Sequence, residues 1–146
     1  MLAFVLRRML GIPKVIALDI SPYAITLARE NLPEDVLLIA CDSGSCLGDR
    51  SVDLAVVNPP YLPPENSAER DTCNGWLHKA WSAEDMDKLC KSVARIARRM
   101  IVAVYSTLSP IDLKECLERE GFSVFVHGTL ESFFEKLLVL VGWREV

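Results

Sequence analysis

Four short runs, KVIALD (14–19), VLLIACD (36–42), VDLAVVN (52–58) and MIVAVYS (100–106), are apolar at nearly every position rather than at every second one. A strand with one wet face alternates, whereas a strand covered on both faces does not. Unbroken runs of this length therefore predict a parallel sheet held between two layers of helix. The intervening segments agree. SPYAITLAREN reads as a helix with Ser21 as its N-cap and Pro22 in the first turn, ended by Asn31 and Pro33. Ser82 and Asp85 form a capping-box signal, after which Met86, Leu89, Cys90, Val93 and Ala97 recur at helical spacing. A further helix is predicted from Ser109, with Pro110 just inside, Leu113, Cys116 and Leu117 on its apolar face and Gly121 just beyond.

The last two runs, FSVFVH (122–127) and FFEKLLVLV (133–141), are joined by GTLES alone, too short for a crossover, so they must pair antiparallel. The expected architecture is a three-layer α/β sandwich, a parallel sheet closed by a C-terminal antiparallel hairpin, in one domain spanning 1–146. A chain of 146 residues with 51% hydrophobic content and a mean hydropathy of +0.23 is too apolar for a disordered segment. Its 16 basic and 20 acidic residues, net charge −4, provide no general attraction to nucleic acid or anionic lipid. No apolar run approaches the length of a membrane span, and MLAFVLRRML places its arginines after its apolar residues, unlike a secretory leader. Five cysteines with no CxxC spacing predict buried, reduced thiols in a cytoplasmic protein, with no metal site.

Ligands of open α/β sheets bind outside the carboxyl ends of the strands. Asp19, Asp42 and Asn58 each close a predicted strand, so three polar side chains should share one rim. The third is followed by Pro-Pro-Tyr, and this is the most informative stretch of the chain. A residue before proline is driven out of the helical region, which holds Asn58 extended. Pro59 and Pro60 have fixed φ and no N–H, leaving carbonyls without neighbouring ladder donors. The Asn58 amide oxygen and the Pro59 carbonyl thus form two acceptors on a stiff frame, matched to both hydrogens of an –NH2 group. The ring of Tyr61 offers a surface for a planar group. Gripping both hydrogens draws the nitrogen lone pair out of conjugation and aims it. For a poor nucleophile, such orientation supplies on the order of 7–11 kcal/mol of the barrier.

The motif NPPY at a strand end resembles that of the class I S-adenosylmethionine-dependent methyltransferases that modify amide or exocyclic nitrogens. ALDISPYAITLAREN resembles their second strand and following helix, which implies that Asp19 holds the ribose hydroxyls and Ile20 packs on adenine. IACDSGS resembles the end of the third strand, implying that Asp42, with Ser43 beside it, receives the adenine amino group. DLAVVNPPYLP and FFEKLLVLVGW are similar to the HemK-like release-factor glutamine methyltransferases, especially their short archaeal and eukaryotic branch. The resemblance implies S-adenosyl-L-methionine as cofactor and the glutamine of a release-factor Gly-Gly-Gln motif as substrate. Asn58 and Pro59 would be catalytic together with Tyr61; Asn58 would also touch cofactor, and Pro60 would line the substrate site. It further implies a small zinc-binding activator protein pairing along strand 36–41, which is expected at a sheet edge.

The family's opening strand and glycine-rich loop have no counterpart here, and MLAFVLRRMLG matches the helix after that loop. The expectation is an N-terminally shortened methyltransferase domain, the alternative being a natural short homologue that binds cofactor poorly. The strands ending at Asp19 and Asn58 would then either leave a gap or pair directly. Two other functions stay open. Methylation of an adenine amino group uses the same chemistry on a flipped base. However, from Tyr61 to Asp87 there are six acids and two bases, a balance that repels phosphate. A non-catalytic methyltransferase-like scaffold is the third reading. Lys91, Arg95, Arg98 and Arg99 are expected on a solvated helix face; Trp76, His78 and Trp81 follow the motif, where the alternatives are the substrate entrance or, for the tryptophans, packing on the sheet; His127 ends a strand and is expected to be structural.

Overall fold

In a computed structural model, residues 1–59, 83–131 and 135–145 are described. Strands and helices alternate as the apolar runs require. The chain divides into two compact units, Met1–Cys46 and Leu47–Val146. In the first unit, a helical turn α1 (Leu2–Phe4) continues as a π-helical segment (Val5–Met9) and leads to β1 (Ile16–Asp19), α2 (Pro22–Asn31) and β2 (Leu37–Ala40). β1 and β2 pair in parallel, Ile16 opposite Leu37 and Asp19 opposite Ala40. Ser21 caps α2, its Oγ accepting the Ala24 N–H at 3.4 Å, and Pro22 occupies the first turn. The Arg7 guanidinium clamps Asp35, tying the N-terminal helix to the turn before β2. This unit has little interior: Val15, Val36 and Cys41 are its buried apolar side chains, and α2 buries none.

The second unit holds β3 (Val52–Val57), α3 (Ala83–Ile96), β4 (Ala97–Ser106), α4 (Leu113–Arg119), β5 (Ser123–Glu131) and β6 (Lys136–Trp143). Its sheet runs β3-β4-β6-β5, with β3 and β4 parallel and β6 antiparallel to both of its neighbours. The C-terminal hairpin is thus as expected, with a longer first arm and a second arm that begins and ends later in the sequence than predicted. Cys90, Val93 and Ala94 on α3 meet Leu113, Cys116 and Leu117 on α4. Together they cover Ile101, Ala103 and Tyr105, the alternate residues of β4, and Leu140 of β6. Burying side chains of this size contributes about 1.5–3 kcal/mol each, so this unit carries most of the apolar stabilisation.

Several boundaries differ from the sequence expectation. α4 begins at Leu113 rather than near Ser109, because Asp112, not Ser109, caps it by accepting the Glu115 N–H at 3.1 Å. β4 starts at Ala97, three residues early, so Ala97 belongs to the strand and not to the helix before it. Among the described residues β1 pairs only with β2 and β3 only with β4, so the strands ending at Asp19 and Asn58 do not pair directly. The cysteines also depart from expectation: Cys41–Cys46 and Cys90–Cys116 are disulfides rather than free thiols. Their Cα separations of 6.1 and 6.6 Å fall in the range a disulfide spans. Apolar burial and disulfide geometry are compatible, and sequence spacing alone did not distinguish them. Pro60, Tyr61, Cys73, Trp76, His78, Trp81 and Ser82 lie outside the described residues.

Candidate active site

In the first unit, two carboxylates stand at the carboxyl ends of adjacent strands. Asp19 ends β1, exposed, and its Oδ1 accepts the Ser21 N–H at 2.8 Å, a local turn that fixes the carboxylate's direction. Its second oxygen is engaged by no described residue. Ile20, next to it, is half-buried. Asp42 lies two residues past Ala40, the partner of Asp19, at the start of the turn that follows β2. The chain reverses there in a tight turn, Ser45 N–H donating to the Asp42 carbonyl at 2.9 Å. Ser43 and Gly44 both have positive φ, +52° and +82°, the values of a type I′ turn. Ser43 Oγ donates to Asp42 Oδ1 at 2.8 Å, and the Cys41–Cys46 disulfide closes the turn from outside.

This donor set suits an adenosine-bearing cofactor. Carboxylates accept hydroxyl and amino hydrogens, and the half-buried Ile20 offers apolar surface next to Asp19. Both acceptors already have one oxygen position set by a local hydrogen bond, so their orientation does not depend on a ligand.

In the second unit, Asn58 follows β3 directly and is exposed, while Pro59 behind it is buried. No described residue engages the Asn58 side-chain amide. An extended strand delivers the side chain to the rim, and the buried proline anchors the backbone there. Sequence reasoning missed two residues at the same rim. Ser106, the last residue of β4, is fully buried, and its hydroxyl donates to Glu135 Oε2, just ahead of β6. A signal existed: MIVAVYS also ends on a polar residue, and FFEKLLVLV carries one acid in an apolar run. Nearby Tyr105 is pushed above the ordinary phenol range by burial and by the Asp112 carboxylate. Among the described residues no cluster of three or more His, Cys, Asp or Glu side chains could hold a metal, and no helix is long and apolar enough to cross a membrane.

Solved structures share this architecture. The E. cuniculi Mtq2–Trm112 complex responsible for methylation of the eRF1 translation termination factor matches with a TM-score of 0.59 and 18% identity. That match covers 90% of this chain and 85% of that one. Magnesium protoporphyrin IX methyltransferase of Synechocystis PCC 6803, solved with SAH bound, matches with a TM-score of 0.66 and 16% identity over 99% of this chain and 68% of that one. The fold is therefore that of the class I S-adenosylmethionine-dependent methyltransferases. No protein-family model matches. Among curated sequences, a Methanocaldococcus jannaschii protein provisionally named a protein N5-glutamine methyltransferase is 26% identical over 144 residues, 92% of this chain and 72% of the relative. The release factor glutamine methyltransferase of Deinococcus radiodurans is 40% identical over 72 residues, 48% of this chain and 26% of that protein. Within that class, the curated sequences this chain resembles are named for glutamine methylation.

Proposed function

We propose that this protein transfers a methyl group from S-adenosyl-L-methionine to the side-chain amide nitrogen of a protein glutamine, that of a Gly-Gly-Gln motif in a peptide-chain release factor. The observation that carries the reading is Asn58, exposed at a strand end, engaged through its side chain by no described residue and backed by the buried Pro59. The two compact units are read as parts of one methyltransferase domain acting in the cytoplasm. Relatives named for glutamine methylation support the substrate class.

Asp19 receives the ribose hydroxyls, Ile20 packs on adenine, and Asp42 with Ser43 receives the adenine amino group. The cofactor supplies an electrophilic methyl on a sulfonium. Asn58 Oδ1 and the Pro59 carbonyl accept the two amide hydrogens of the substrate glutamine and so turn the nitrogen lone pair out of conjugation. The roles proposed for Pro60 and Tyr61 are to line the substrate site, the Tyr61 ring offering a surface for the planar amide. The alkylated nitrogen loses a proton to water after the transfer, so no residue is assigned as a base. The contribution is positional, of the kind that lowers a barrier by several kcal/mol.

A small zinc-binding activator pairs along β2. The support is the edge position of β2, bonded on one side only among the described residues, with Leu37 55% exposed. The assembly of Mtq2 with Trm112 in a structure of the same fold also supports it. The test is mass spectrometry of a release factor incubated with the protein, cofactor and activator. The expected result is one added methyl on the Gly-Gly-Gln glutamine; methylation of adenine in nucleic acid, with the release factor untouched, overturns the reading.

A further inference from the structure

The end of β4 is joined to the start of β6 by paired bonds that packing alone does not require. Thr107 N–H donates to the Lys136 carbonyl at 3.0 Å, and Lys136 N–H donates to Thr107 Oγ1 at 3.1 Å. Beside them Ser106, 0% exposed, commits its hydroxyl twice: it donates to Glu135 Oε2 and accepts the Leu108 N–H at 3.1 Å. A hydroxyl that donates to a carboxylate forms a charge-assisted bond, so one oxygen of Glu135 is firmly held. The other oxygen is engaged by no described residue, and Glu135 is only half-buried.

The register brings Ser106, the residue that holds this carboxylate, to the same rim as Asn58. Ile101, Ala103 and Tyr105 face the helices, which turns Val102, Val104 and Ser106 to the opposite face. Val57 pairs with Ala103, so one more residue along β3 sets Asn58 level with Val104, on the face of Ser106. One strand spacing across and two residues along amount to about 8 Å between the Cα atoms of Asn58 and Ser106. An extended peptide covers that distance in about two to three residues.

We propose that Glu135 is a substrate-positioning residue, its outer oxygen accepting a backbone N–H of the peptide that carries the target glutamine while Ser106 fixes the carboxylate's direction. The proposal rests on the protein-glutamine reading and deepens it. Asn58 and Pro59 hold the amide to be methylated, and Glu135 registers the main chain two or three residues away. A fixed negative acceptor at this rim also repels a phosphodiester, so the surface takes a neutral or basic peptide.

The experiment measures methyl transfer to a synthetic peptide of about ten residues centred on Gly-Gly-Gln, with urea unfolding of each variant in parallel. Glu135→Gln keeps an amide oxygen for the Ser106 hydroxyl and removes the charge. The expected result is a KM for the peptide raised about tenfold or more, with a much smaller fall in kcat and an unchanged unfolding midpoint. Ser106→Ala should raise KM in the same direction, and Glu135→Asp should recover part of the loss. Asn58→Ala serves as the reference, with kcat lost. An unchanged KM in Glu135→Gln, with Asn58→Ala still inactive, overturns the positioning role and leaves the enzyme reading standing. A KM change accompanied by an equal loss of unfolding midpoint assigns Glu135 to structure alone and also overturns it. Absence of glutamine methylation by the unsubstituted protein removes both proposals together.

Discussion

At the scale of single residues, the side chains proposed for the chemistry are held locally before any ligand arrives. Asp19 is fixed by the Ser21 N–H and Asp42 by the Ser43 hydroxyl, whereas Asn58 is fixed from behind by a buried proline. Replacing Asn58 by Ala removes one of two acceptors without touching the carboxylates. Methyl transfer should fall at least about a hundredfold while affinity for S-adenosylhomocysteine, measured by calorimetry, changes little. Retained turnover would remove Asn58 from the mechanism. Gly121 is the second informative residue. It follows the C-cap Glu120 with φ +86°, and the Gly121 and Phe122 N–H groups donate to the Glu118 and Leu117 carbonyls at 3.1 Å each. This is the Schellman arrangement, which favours glycine because a Cβ is strained at positive φ. Gly121→Ala should destabilise by about 1 kcal/mol in urea unfolding, although nothing lies near the added methyl.

At the scale of elements, α3 and α4 are joined by the Cys90–Cys116 disulfide at the centre of the second unit's core, at a sequence separation of 26. Closing a loop of that length restricts the unfolded chain by roughly 3 kcal/mol. Reduction under unfolding conditions should therefore lower the urea midpoint, and a midpoint insensitive to reductant would show that the bond contributes nothing. The N-terminal helix has a pH-dependent tie. Its Arg7 holds the Asp35 carboxyl below the usual carboxylate range, chiefly by hydrogen bonding. Because the folded-state value is depressed, the stabilisation is complete above the ordinary carboxylate pKa and lost as pH falls through the lower folded one. Asp35→Asn should remove that acid-limb sensitivity, read as the amide protection of residues 2–9 between neutral and strongly acid pH. Both partners are exposed, so the effect on global stability should be small.

At the scale of the whole molecule, apolar burial is unevenly shared. The second unit buries two helical faces against a four-stranded sheet; the first buries three apolar side chains and leaves Leu2, Phe4, Tyr23, Leu27 and Leu37 exposed. Regions with few buried contacts open at lower free energy. Amides of β1 and β2 should exchange with deuterium faster than those of β4 and β6, and the activator proposed for the β2 edge should slow them selectively. Leu37→Lys should abolish that slowing, since a charge on an edge strand discourages further pairing. Equal exchange in both units would contradict the burial argument.

The unbroken apolar runs established the strand set, and the brevity of GTLES established the hairpin, because pairing direction follows from loop length alone. Strand-end polarity placed Asp19, Asp42 and Asn58 at carboxyl ends, and the proline pair showed why Asn58 is presented outward. These signals are local, carried by neighbours in sequence. Tertiary structure decided what depends on distant neighbours. Asp112 outcompeted Ser109 as the α4 cap, and Cys90 met Cys116 across two helices. Ser106 found Glu135 only because β6 returns antiparallel beside β4. A residue's periodicity and turn chemistry can be read along the chain, but its hydrogen-bond partner across a sheet is set by register, and register exists only once the strands have packed.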